Sequence, residues 1–153
     1  RRLPGRARGI EVLKPRRRQF GGIRRVPVLG DTPAGSPTIQ EEEAGAWLKV
    51  GCELLAAPEA DRCFAVRVRG DSMIDRGIHD GDIAVADADA SPSPGDVVVA
   101  LVDNETTLKT LARDGECFYL RAENTRYPDL RPCTEMQIQG VVQTLIRRLG
   151  RRL

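Results

Sequence analysis

The sequence runs to 153 residues, enough for one core-bearing domain and a tail but short for two. Its four cysteines (Cys52, Cys63, Cys117 and Cys133) form no Cys-x-x-Cys pair and stand with a single histidine, which excludes a zinc set and a disulfide framework and fits reduced cytosolic thiols. The formal net charge of +2 is uneven, with +9 over residues 1–25, −11 over 26–146 and +4 over 147–153, and the longest apolar run, Val97 to Val102, is far too short to span a bilayer.

Residues 1–25 are too rich in Arg, Gly and Pro for a core and read as a basic arm and linker, with one short strand at Gly9-Ile10-Glu11-Val12-Leu13. A basic arm on an acidic body suits a polyanion, because neutralising phosphates releases condensed counterions; a solvated linker fits the same charges. Val26 to Gly30 has strand texture, and Asp31 to Pro37 is a loop punctuated by Pro33, Gly35 and Pro37. Glu41 to Leu55 fits neither the helical nor the strand period and receives no assignment. Phe64, Val66 and Val68 then alternate with Ala65, Arg67 and Arg69, as a half-buried strand should, and Gly70 ends the run. Further strands are expected over Asp82 to Ala86, Asp96 to Val102, Thr106 to Leu111, Glu116 to Arg121 and Glu135 to Ile146. Turn chemistry separates them at Pro92 to Gly95, Asp103-Asn104, Asp114-Gly115 and Tyr127 to Asp129. The expected fold is mostly β: one domain of short strands and hairpins behind a basic linker.

Two residues carry the candidate chemistry. Ser72 follows directly on a strand end, and a serine nucleophile needs a group to take its proton. His79 lies in the turn Gly77-Ile78-His79-Asp80-Gly81 and reads as a turn residue. Lys109 shares a strand face with Thr107 and Leu111, so its amine can lie against apolar surface, where desolvation disfavours the charged form and makes the lysine a base. A surface lysine on an edge strand is the other reading of the same position. Backbone N–H groups of Asp71 and Ser72, in the turn after the strand, are the candidate oxyanion donors. Met73 and Ile74 read as core or site-wall packing, and Asn124 as a hydrogen-bonding turn residue. No metal or other cofactor is expected.

Gly70-Asp71-Ser72-Met73-Ile74-Asp75, Gly77-Ile78-His79-Asp80-Gly81-Asp82, Thr107-Leu108-Lys109 and Arg121-Ala122-Glu123-Asn124 occur in that order. Together they resemble the self-cleaving peptidase domain of LexA repressors and their UmuD and phage-repressor relatives. The resemblance covers Val26 to Arg147. It implies Ser72 as nucleophile, Lys109 as general base 37 positions on, and Ala34-Gly35 as the bond cut in the same chain. It also implies domains at 1–25 (end of a winged helix-turn-helix wing plus basic linker), 26–147 (peptidase and dimerisation) and 148–153 (basic tail). Residues Arg2 to Leu13 look like the end of such a wing, so the recognition helix that reads operator DNA is expected upstream of Arg1. The implied function is a cytoplasmic, homodimeric repressor of the DNA-damage (SOS) response, cleaved when RecA filaments on single-stranded DNA favour docking of the cleavage loop. The strand around Gly140 to Ile146 is the candidate dimer edge. A UmuD-like subunit of a translesion polymerase is the alternative.

Overall fold

Apolar alternation along short segments produces strands, and the order in which they pair decides which distant residues meet. The computed structural model describes residues 22–29, 46–55, 62–131 and 136–150. Eight strands form one sheet: β1 (Ile23–Leu29), β2 (Ala46–Gly51), β3 (Cys63–Arg67), β4 (Ile83–Asp87), β5 (Val97–Val102), β6 (Glu105–Asp114), β7 (Cys117–Arg121) and β8 (Met136–Ile146). Their spatial order is β2-β1-β3-β4-β8-β5-β6-β7. The helical elements among the described residues are the 3-10 turns Cys52–Leu54 and Ile74–Arg76, so the mostly β expectation holds.

The strands foreseen from Val26 onward all form, with ends set by their partners. β1 starts earlier than the apolar run because Ile23 pairs with Gly51. β6 runs on to Asp114 because its last residues pair with the start of β7. The unassigned stretch before Leu55 contains β2, which lies at the sheet edge with Val50 as its one fully buried residue. An edge strand needs no alternating apolar face, and Trp47 instead lies under the guanidinium of Arg25, 4.7 Å from its ring centre. The short strand expected at Gly9 to Leu13 lies outside the described residues.

Two pairings position the chemistry. β1 and β3 run parallel, with Leu29 beside Val66, so the chain leaving β1 and the chain leaving β3 toward Ser72 exit at the same end of the sheet. Between β5 and β6, Asp103 and Asn104 both take positive φ (49° and 64°), the backbone of a tight hairpin turn matched to strand twist. That turn sets a register in which Lys109 lies opposite Val98.

β8 lies inside the sheet. It pairs with β5 from Met136 to Val141 and with β4 from Val141 to Ile146, changing neighbours near Gly140. Gly140 is there because nothing larger fits: a Cβ would stand 2.8 Å from Cε1 of Phe64 and 3.1 Å from the Asp87 carbonyl oxygen. Phe64 is 1% exposed and packs with Ala86 and Val99, so it has no free space to move into. Gly140→Ala is therefore expected to cost about 1–3 kcal/mol through overpacking, seen as a lower urea midpoint at unchanged slope.

Candidate active site

Beyond β3 the chain must reverse and lie back across the sheet, and Gly70, at φ 74°, makes that reversal in a conformation other residues rarely adopt. The loop is tied at its base: Val68 N–H donates to the Asp82 carbonyl (2.8 Å) and Gly81 N–H to the Val68 carbonyl (2.9 Å). Gly70 N–H also donates to the Asp80 carboxylate at 2.8 Å. Met73 is the peg, 1% exposed and packed with Val68, Ile78 and Ala84 and against Leu108 of β6. Ile74, expected beside it as packing, is 39% exposed, because the 3-10 turn that starts there rotates it outward.

Asp82, 2% exposed, closes the loop from below. Both its oxygens accept from Arg147 (Nε and Nη2, each 2.6 Å), and Arg147 also donates to the Gly77 carbonyl at 2.7 Å. The guanidinium holds the Asp82 carboxyl below the usual carboxylate range. His79 gives its backbone N–H to Asp82 (2.8 Å) while its side chain is exposed, in keeping with a turn residue.

At the far end of the same loop, Lys109 Nζ stands 2.9 Å from Ser72 Oγ. Its other partners are Thr107 Oγ1 at 3.0 Å and the Leu108 carbonyl oxygen at 3.1 Å. Lys109 is 7% exposed, and no carboxylate among the described residues pairs with it. Burial alone pushes its pKa down. Nζ donates to all three partners; once the amine has lost a proton, two N–H groups can stay on Leu108 and Thr107 while the lone pair takes the Ser72 hydroxyl proton.

A second loop braces Ser72 from the other side. Glu123 N–H donates to the Ser72 carbonyl at 2.8 Å. Asn124, 8% exposed, donates through Nδ2 to the Asp71 carbonyl at 2.9 Å and accepts from Arg126 N–H at 3.0 Å. The Asp71 carboxylate accepts from Tyr127 Oη at 2.5 Å and from the Arg126 guanidinium. The tyrosine hydrogen bond is the main reason its pKa lies low. Ser72 Oγ lies next to the candidate base. Arg126 and Tyr127 are partners that sequence reasoning missed, since they stand 55 and 56 positions from Asp71 and nothing local announces the contact.

Ala34 and Gly35 lie outside the described residues, as do residues 1–21 and 151–153. Cys52, Cys63 and Cys117 are free thiols. Among the described residues no group of His, Cys, Asp and Glu is arranged to hold a metal, and no helix is long and apolar enough to cross a membrane.

Comparison with known proteins matches residues 27–143 to the Peptidase S24-like family. The chain is similar to the LexA repressor of Verrucomicrobium spinosum, with 38% identity over 147 residues that cover 96% of this chain and 71% of the relative. It is equally similar to the LexA repressor of Desulfatibacillum aliphaticivorans, 38% over 149 residues, covering 95% and 70%. LexA repressor 2 of Pseudomonas putida is 39% identical over 150 residues, covering 95% and 70%.

Proposed function

The chain belongs to the Peptidase S24-like family and is a LexA-like, self-cleaving repressor of the SOS response; from that premise we propose that a Ser72/Lys109 dyad cuts Ala34-Gly35 in the same chain. The observation that carries this reading is the 2.9 Å approach of a desolvated lysine amine to a serine hydroxyl. The UmuD-like alternative finds no support in the comparisons.

The steps are set by the atoms present. Neutral Lys109 Nζ takes the proton of Ser72 Oγ as that oxygen bonds to the Ala34 carbonyl carbon. The negative charge that develops on the carbonyl oxygen is met by backbone amides; Asp71 and Ser72 are the proposed donors. Collapse breaks the bond to Gly35, whose nitrogen leaves with the proton from Lys109. Water activated by the same amine then frees Ser72 from the acyl group.

Connectivity supports the choice of bond. Ala34 lies five positions past Leu29 and Ser72 five past Arg67, and β1 and β3 exit side by side. Five extended residues span about 17 Å, enough for the linker to fold back onto the serine.

Residues 26–147 are the proposed peptidase and dimerisation domain, with 1–25 as the end of a DNA-binding wing plus linker and 148–153 as a basic tail; the first boundary moves back to Ile23, since Ile23 to Arg25 pair with β2 as the start of β1. In the dimer, a proposed partner strand lies along Val142 to Ile146, where pairing with β5 has ended and β4 covers the other side. RecA filaments on single-stranded DNA act by favouring the docked loop, a population shift that adds no chemistry. Operator DNA is the proposed nucleic-acid partner, in keeping with the repressor names of the relatives. Incubation of the purified protein at alkaline pH is expected to yield two pieces whose intact masses correspond to residues 1–34 and 35–153. A chain that stays whole, or masses that place the cut elsewhere, would overturn the assignment.

A further inference from the structure

A trans peptide is a rigid plane in which C=O and N–H point in opposite directions, so fixing one fixes the other. The Asp71 carbonyl belongs to the same plane as the Ser72 N–H. That carbonyl accepts from Asn124 Nδ2 at 2.9 Å and, within its own turn, from Ile74 N–H at 3.2 Å. The next plane, Ser72-Met73, is held in the same way by Glu123 N–H on the Ser72 carbonyl at 2.8 Å. Two consecutive peptides flanking the serine are thus pinned from outside by two consecutive residues of one loop.

Asn124 is suited to this. It is 8% exposed, so its side chain is packed in one orientation. Its Oδ1 accepts from Arg126 N–H at 3.0 Å, which assigns Nδ2 as the atom facing Asp71. We infer that Asn124 is a positioning residue: by gripping the Asp71 carbonyl it aims the Ser72 N–H at the carbonyl oxygen under attack. This rests on the self-cleavage reading and adds to it a residue that touches no reacting atom.

Asn124→Asp separates the two halves of the side chain. It keeps the acceptor for Arg126 N–H and replaces the donor to Asp71 by a second acceptor, leaving the 3.2 Å turn bond alone to hold the plane. Loss of a direct oxyanion donor costs about 10²–10³ in rate, so loosening one is expected to lower the plateau cleavage rate about ten- to a hundredfold. Because Asn124→Asp also brings a negative charge near Lys109 and so favours the ammonium, the pH midpoint is read in the uncharged Asn124→Ala, where it should stay put. The plateau of Asn124→Ala should fall as that of Asn124→Asp does, since it too removes the donor to Asp71. A plateau within about twofold of the wild type in both variants, or an Asn124→Ala midpoint that moves toward that of ordinary lysine, would overturn the inference. The Ser72 amide resonance, read in the uncut protein, gives an independent answer: it should shift and broaden in Asn124→Asp, and an unchanged peak would overturn the inference. A wild-type chain that does not cleave, yet whose Ser72 amide responds in this way, would sink the peptidase reading and leave the positioning role standing.

Discussion

Lys109→Ala is expected to abolish self-cleavage, with no fragment beginning at Gly35 visible by intact mass after an incubation that cuts the wild type to completion. Ser72→Ala should give the same result, since neither half of the pair is useful alone: without the amine no other base among the described residues is hydrogen-bonded to the hydroxyl to take its proton, and without the hydroxyl the amine has nothing to activate. The loss should exceed about 10³-fold for each, and the double variant should be no slower than the singles, as is usual for groups that act as one unit. Neither loss should come from unfolding. Ser72 makes its backbone bonds through its carbonyl, which alanine keeps. Lys109 is buried with a pKa pushed down by desolvation, so between its folded value and its ordinary value the unfolded chain binds the proton more strongly. Stability therefore rises with pH across that window, and below it the buried ammonium costs stability. Lys109→Met, which keeps the apolar stem, should for that reason melt no lower than the wild type near neutral pH. A Lys109 variant that still produced the Gly35 fragment would assign the base elsewhere.

The second large effect is on pH. If neutral Lys109 is the base, the first-order cleavage rate climbs about tenfold per pH unit while the amine is mostly protonated, then levels off once it is neutral. The bend should come below the ordinary lysine value of 10.5, because burial without a compensating carboxylate lowers the proton affinity. The direction is diagnostic. A histidine base would saturate near neutrality, but His79 is exposed and its hydrogen bonds run through its backbone. Rates measured with buffer ionic strength held fixed, from about pH 6 to pH 11, test this; a flat or falling profile would remove Lys109 from the role.

Much of the architecture is legible because β strands with one buried face write a period of two into the chain. Phe64, Val66 and Val68 alternate as expected, but the strand is not half-buried: Cys63 and Ala65, on its other face, are buried in a second core cluster, and Val97 to Val102 forms a continuous apolar run because it too is covered in mid-sheet. Gly70 announces the loop that carries Ser72, and the positive φ there agrees. The proximity of Lys109 to Thr107, two positions apart on one strand face, is likewise a local matter. Non-local features escape. Ala46–Gly51 lacks alternation because an edge strand with one buried residue does not need it. The terminal strand reads as an edge, yet β8 lies between β4 and β5, meeting both at Val141, and only Val142 to Ile146 has β4 alone beside it, which pairing partners many residues away decide. Asn124 has the composition of a turn, and it does form one; its grip on Asp71, 53 positions back, leaves no trace in its neighbours.

The seat of β1 separates scission from release. A break at Ala34-Gly35 assigns Ile23–Leu29 to the amino-terminal piece, yet that strand is wedged between β2 and β3, with Val26 wholly shielded from water. Hydrolysis alone would leave a nicked but assembled particle. The halves would part only when a ladder from Ile23 through Val28 unzips from β2 and the grip on β3 is lost, baring Val50 and Ala65. Chemistry and disengagement are then distinct events with their own clocks, and the second alone sets how long an already severed molecule goes on behaving as intact.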